Sequence, residues 1–241
     1  MYNALNIKES DRILIAAPHP DDETIGCGGI LALYGPQCDV LLLTDGRLGK
    51  PEGSDYSEEK TAAVRQAEFE AVMGFFHARS HHELRISDNT LSANASVVSV
   101  VDLREYDYIF VPNRNERHPD HKAAYEILKK LHKAQNAKGA LVEYEVWSPL
   151  TAPNRFLDVS EVMDRKLAAL AKYESQIASI DYEALALGLN MYRGSPHHVS
   201  YCEAYYSTQM ARENRKEDLI LKLPLCLRKP LIAIKRKLYK R

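Results

Sequence analysis

Two short segments of this 241-residue chain concentrate side chains able to hold a metal ion and move a proton. The first is Pro18-His19-Pro20-Asp21-Asp22-Glu23, and the second is His118-Pro119-Asp120-His121. A catalytic zinc takes three nitrogen or oxygen ligands from the protein and leaves a fourth position for water. His19 and Asp22, three residues apart, meet that requirement together with a third ligand from the other segment. Such an ion lowers the pKa of its water to about 7 and polarises a carbonyl. Hydrolysis also needs a base beside the water and a donor for the developing oxyanion. Aspartates and histidines remain for both tasks. Either segment alone reads equally well as a turn and a helix cap, because Pro favours turns and Asp favours the N-cap. Capping does not explain why both carry His and Asp together.

Each segment follows an apolar run that reads as a buried strand, at 12–17 and at 107–111. Further strands are predicted at 39–44 and 142–147. The continuous apolar character of these runs suits a parallel sheet covered on both faces. A short helix is expected at 30–34, ended by Gly35-Pro36. A long helix is predicted over 57–76, with Val64, Ala67, Ala71, Val72 and Phe75 as its apolar stripe. Another begins near Asp120 and carries Ala123, Ala124, Ile127, Leu128 and Leu131. A third is predicted over 160–179, opened by Ser160. This alternation predicts an α/β fold, a Rossmann-like three-layer sandwich with a mostly parallel central sheet. Right-handed crossovers gather the loops after the strands at one edge, so the two His/Asp segments should meet.

The composition, 45% hydrophobic and 27% charged, is that of a globular protein and excludes disordered, collagen-like and disulfide-scaffold classes. No apolar run is long enough to span a membrane, and the polar start lacks the apolar region of a secretory signal. The four cysteines show no CxxC spacing and read as reduced thiols, which predicts a cytoplasmic location. The net charge of −1 conceals an asymmetry. Residues 211–241 hold eleven Lys or Arg and three Asp or Glu, a net +8 that leaves −9 on residues 1–210. The chain therefore divides into a body, 1–210, and a basic tail, 211–241. From 219 the tail alternates apolar and basic residues, broken by Pro224 and Pro230, with a short amphipathic helix predicted at 231–241. Such a segment can lie on an anionic membrane, here the inner face, or pack on the acidic body or on a partner. No aromatic platform or motif for nucleic acid accompanies the charge. The pairs His81-His82 and His197-His198 read as loop or surface residues, and Gly26, Gly28 and Gly29 do not form a nucleotide fingerprint.

PHPDDETIGCGG after the first strand, with HPDH after a later one, resembles the LmbE/PIG-L family of zinc-dependent N-deacetylases. The resemblance spans about residues 12–210 and includes Thr44-Asp45-Gly46, Arg65 with Glu68, Asp88, PNRFLDVS and Tyr173-Glu-Ser-Gln176. It implies that His19, Asp22 and His121 hold Zn2+, although the donor set also accepts other divalent ions. It further implies that Asp21 is the general base and that His118 stabilises the oxyanion, with Asp120 holding its ring. Arg65 and Asp88 match positions that contact sugar hydroxyls, and Tyr201 matches a tyrosine close to the metal. The substrate class implied is an N-acetylated, GlcNAc-type sugar. It could be lipid-linked, or a small soluble glycoside of the thiol-precursor type. A metal-dependent glycan-binding module without turnover is the alternative. The chain departs from one subgroup by carrying Asn113-Arg-Asn-Glu-Arg117 where that subgroup has glycines and a tyrosine.

Overall fold

The computed structural model describes residues 3–209, so the expectations for the 211–241 tail and for Cys226 lie outside the described residues. Strands β1 (Ile13–Ala17), β2 (Cys38–Thr44), β3 (Ser80–Ile86), β4 (Tyr108–Pro112) and β5 (Ala140–Tyr144) form one sheet in the order β3-β2-β1-β4-β5. Every pairing in it is parallel, with Ile15 opposite Val40 on one side and Phe110 on the other. A separate antiparallel ribbon joins β6 (Arg155–Asp158) to β7 (Cys202–Tyr205).

Among the described residues six α-helices flank the sheet: α1 (Asp22–Tyr34), α2 (Glu58–Phe76), α3 (Pro119–Ala134), α4 (Met163–Leu170), α5 (Glu174–Ile177) and α6 (Tyr182–Gly194). Alternate strand residues face opposite sides. Ile13, Ile15 and Ala17 pack with residues of α1, α2, α4 and α6, whereas Leu14 and Ala16 pack with Ala124, Tyr125 and Leu128 of α3. The three-layer α/β arrangement is the one the uninterrupted apolar strands imply.

Several elements differ from the sequence expectation, each for a physical reason. Strand β3, with the sequence SHHELRI, is an edge strand half open to water and has no apolar run to betray it. His81 and His82 are exposed as expected, but on that strand rather than in a loop. Helix α1 starts at Asp22, not near Ile30, because three glycines with poor helix propensity obscure its first two turns. The expected helix over 160–179 is a 3-10 turn at Ser160–Val162 followed by α4 and α5. Ser160 does not cap it; its hydroxyl instead donates to Asp158 and accepts from the Tyr201 N–H. On α2 the buried face is Thr61, Arg65, Phe69, Val72, Met73 and Phe76. The expected stripe was rotated from this face, since a purely apolar pattern passes over a buried arginine.

Candidate metal and catalytic centre

The chain leaves β1 toward β2 and leaves β4 toward β5, in opposite directions across the sheet. Such a reversal opens a crevice beyond the carboxyl ends of the two strands. Both His/Asp segments enter it. Asp22 opens α1 on one face of the sheet, and His118 is the N-cap of α3 on the other.

Three side-chain atoms converge there. His19 Nδ1 lies 3.2 Å from Asp22 Oδ2 and 3.2 Å from His121 Nε2, and the latter two are 3.1 Å apart. Ligands about 2.0–2.1 Å from a tetrahedral ion stand roughly 3.3 Å apart, so this triangle has the dimensions of three corners of such a site. The His118 ring faces the same place, its centroid 4.6 Å from that of His19 and 5.1 Å from that of His121. On the other side of the His19 ring, Nε2 is 3.2 Å from Asp88 Oδ1 and 3.4 Å from Asp120 Oδ2. His19 thus belongs to two acid and imidazole groups able to hold a cation, one with His118 and His121 and one with Asp88 and Asp120. Among the described residues no such group forms elsewhere, and the pairs His81-His82 and His197-His198 belong to none.

The electrostatics fit a cation at the triangle. Burial favours a neutral Asp22, but the facing His121 and His19 outweigh it and hold the carboxyl well below its ordinary range. Burial likewise lowers His121, yet Asp22 raises it to about 9. His19 is also lowered by burial and then raised further by Asp120, Asp22 and Asp88. Two buried imidazoles that retain protons to balance a carboxylate occupy the role a divalent ion takes over by displacing those protons. Behind His121, Nδ1 faces Glu116 Oε2 at 3.7 Å, and both atoms are buried without a hydrogen bond. Glu116 Oε1 is pinned by Asn113 Nδ2 and by the N–H groups of Val146, Trp147 and Ser148. A carboxylate in that position fixes a ligand imidazole's orientation. Glu116 escaped the sequence reading because it lies in the 113–117 stretch and outside both motifs.

Asp21 stands beside the triangle in a backbone conformation, φ 125° and ψ −32°, that non-glycine residues rarely adopt. Its Oδ2 accepts from the Tyr182 hydroxyl at 2.6 Å and from Arg65 Nη2 at 3.0 Å. Burial raises its pKa to about 6, against the opposing pull of Arg65. Glu23 accepts from the Asp21 N–H and from the hydroxyls of Thr24 and Tyr173, and burial raises it to about 7. Glu23 belongs to the first motif, whereas Tyr182 was not singled out from sequence. Tyr182 starts a helix that no motif marked.

The other residues expected at the site take the following places. His118 is held by the Asp120 backbone N–H, which donates to its Nδ1 at 3.2 Å, and not by the Asp120 carboxylate. That carboxylate faces His19 and is itself fixed by the N–H groups of Asn89 and Leu91, because α3's first turn points it toward the loop after β3. Arg65, expected at a sugar hydroxyl, is 4% exposed and donates to the Gly46 and Pro20 carbonyls and to Asp21. Glu68, its expected helix partner, instead accepts from Ser175. Asp88 is buried, taking the Leu48 N–H on one oxygen and facing His19 with the other. Burial would raise its pKa, but the facing His19 outweighs burial and lowers it to about 2. Tyr201 is not among the residues brought together: its backbone pairs with Val159 and Ser160 beside β7.

Fold and site together define a parallel α/β protein with an imidazole–carboxylate centre at the switch point of its sheet. Residues 14–132 match the family model described as PIG-L, GlcNAc-PI de-N-acetylase. It is 29% identical over 187 residues to the diacetylchitobiose deacetylase of Thermococcus kodakarensis, covering 68% of this chain and 70% of that one. The N,N′-diacetylchitobiose deacetylase structure from Pyrococcus horikoshii matches with a TM-score of 0.71 at 23% identity, over 82% of this chain and 84% of that one. The 4-carboxy-2-hydroxymuconate hydratase GalB of Pseudomonas putida KT2440 matches at 0.66 and 20% identity, over 82% of this chain and 96% of that one. One fold thus serves differently named chemistries, and a functional reading must rest on the site.

Proposed function

We propose that this protein is a metal-dependent hydrolase that removes the N-acetyl group from a GlcNAc-type sugar. The observation that carries the reading is the triangle of His19 Nδ1, Asp22 Oδ2 and His121 Nε2, flanked by Asp21 and His118. In this reading His19, Asp22 and His121 hold the ion, and their N2O donor set suits Zn2+ while admitting other divalent ions. The bound ion would supply polarisation of the acetamide carbonyl and acidification of a water.

The chain's own groups do the rest. Asp21, lifted to about 6 by burial, is a base matched to near-neutral conditions. It takes a proton from the attacking water and then holds the one the departing amine requires. Burial lowers the pKa of His118, which favours the neutral ring. Its Nδ1 accepts the Asp120 N–H, so the ring's single proton sits on Nε2 and can meet the developing oxyanion. Arg65 and Tyr182 position the base, while Asp88, Asp120 and Glu116 orient the two ligand histidines. Within the same reading, the basic 211–241 segment gives the enzyme a peripheral contact with an anionic membrane face, where a lipid-linked sugar would be found.

Acetate release from metal-loaded protein tests the proposal, using free GlcNAc, N,N′-diacetylchitobiose, a small GlcNAc glycoside and a GlcNAc glycolipid. At least one should yield acetate. Chelation should abolish release and added Zn2+ should restore it, while Asp21→Asn should lower kcat by about 10²–10⁴-fold. Asp21→Asn as active as wild type would sink the mechanism. Saturable metal-dependent glycan binding with no acetate from any sugar would leave a binding module instead.

A further inference from the structure

Trp147 is the single tryptophan of the chain, and 40% of its surface is exposed. Its neighbours Val146 and Leu150 are buried, so the same turn offers apolar cover that the indole does not take. The residue follows β5, at the carboxyl edge where the candidate centre lies.

Two attachments place it. Its backbone N–H donates to Glu116 Oε1 at 3.1 Å, and the other oxygen of Glu116 faces His121. Its ring lies against that of Tyr182, with centroids 6.2 Å apart and planes at 50°. Tyr182 is itself buried, and its hydroxyl holds Asp21. The residue is therefore tied through its backbone to the support of a metal-ligand candidate and through its ring to the support of the candidate base, with part of its surface open to solvent. Leaving a large apolar surface in water forgoes burial energy, and covering it with a ligand recovers that energy.

We propose that Trp147 is a stacking platform for the pyranose ring of the substrate and selects sugars over acyclic N-acetyl amides. The inference rests on the deacetylase reading above and names how its substrate is recognised. A gluco-configured pyranose carries its hydroxyls around the ring edge and presents a face of C–H bonds. The electron-rich face of an indole attracts such positively polarised hydrogens. An acyclic N-acetyl amide has no comparable face.

Because the chain has one tryptophan, its emission reports on this residue alone. Zinc-loaded wild type and Asp21→Asn are titrated with N,N′-diacetylchitobiose, with N-acetylethanolamine as the acyclic control. The disaccharide should produce a saturable change in tryptophan emission in both proteins, and the control none. In acetate-release assays Trp147→Ala should raise KM about fivefold to tenfold with a smaller change in kcat. Trp147→Phe, which keeps a ring, should restore most of the loss. Emission that stays fixed while acetate release saturates would overturn the platform, as would an unchanged KM in Trp147→Ala. A saturable emission change without acetate from any sugar would overturn the deacetylase reading and leave the platform standing. Neither signal would overturn both.

Discussion

Asp21 holds a left-handed conformation that costs on the order of 1–3 kcal/mol at a non-glycine residue. The surrounding contacts enforce it: Tyr182 and Arg65 grip the carboxylate, and Glu23 grips the backbone N–H. The hydrogen bond from Tyr182 favours the charged form of Asp21 and so lowers its pKa. Tyr182→Phe should therefore raise the Asp21 pKa. A base works only when deprotonated, so the acidic limb of the kcat/KM profile should move to higher pH. Activity below pH 7 should then fall more than activity above it. A uniform drop across the profile would mean that Tyr182 acts only on packing. At this scale the candidate ligands and the candidate base were legible in the sequence, because His19, Asp21, Asp22, His118 and His121 sit in two compact motifs. The supports were legible only in part: Glu23 lies in the first motif, and Arg65, Asp88 and Asp120 were marked by the resemblance, though not in the contacts they make. Tyr182 and Glu116 reach the site only through tertiary packing.

Helix α1, which delivers Asp22, is broken at Cys27, where φ is −135° and ψ is 19°. The break has an identifiable cause. The Gly29 N–H, which would ordinarily bond the Ile25 carbonyl, donates to Glu203 Oε1 at 2.8 Å. Lys166 Nζ takes over the Ile25 carbonyl at 2.8 Å and pairs with Glu203 at 2.7 Å. A fully buried ion pair is thus inserted into the helix ladder, and an added Cβ at Gly28 would stand 2.7 Å from Lys166 Cγ. Removing one partner strands the other in a dry interior, so Lys166→Met should destabilise the fold by about 3–5 kcal/mol in urea unfolding. Lys166→Met with Glu203→Gln should recover part of that loss, and equal losses in both variants would show that the charge pairing is immaterial. The central strands and α3 were readable from apolar runs and helical spacing. The start of α1 was hidden by glycines and β3 by an edge strand's polarity, while α6, although capped by Asp181, lies beyond the 160–179 stretch read as a helix.

The body and tail differ by 17 charges, and this contrast bears on where the protein works. If the tail supplies the contact proposed above, full-length protein should co-sediment with vesicles containing phosphatidylserine, more weakly as salt rises, and a 1–210 variant should not. Equal, weak sedimentation of both would remove the membrane contact. Among the described residues no helix is long and apolar enough to cross a membrane. The fold has one more consequence. His19 and His121 are separated by 102 residues of chain, yet their nitrogens lie 3.2 Å apart. An ion shared between them would act as a non-covalent staple closing a loop of about that length. In the chain-entropy model a covalent link over roughly 100 residues restricts the unfolded ensemble by about 4.7 kcal/mol. The ion would thus tie the β1–α1 and β4–α3 units into one cooperative body, so that losing the reagent also means loosening the scaffold.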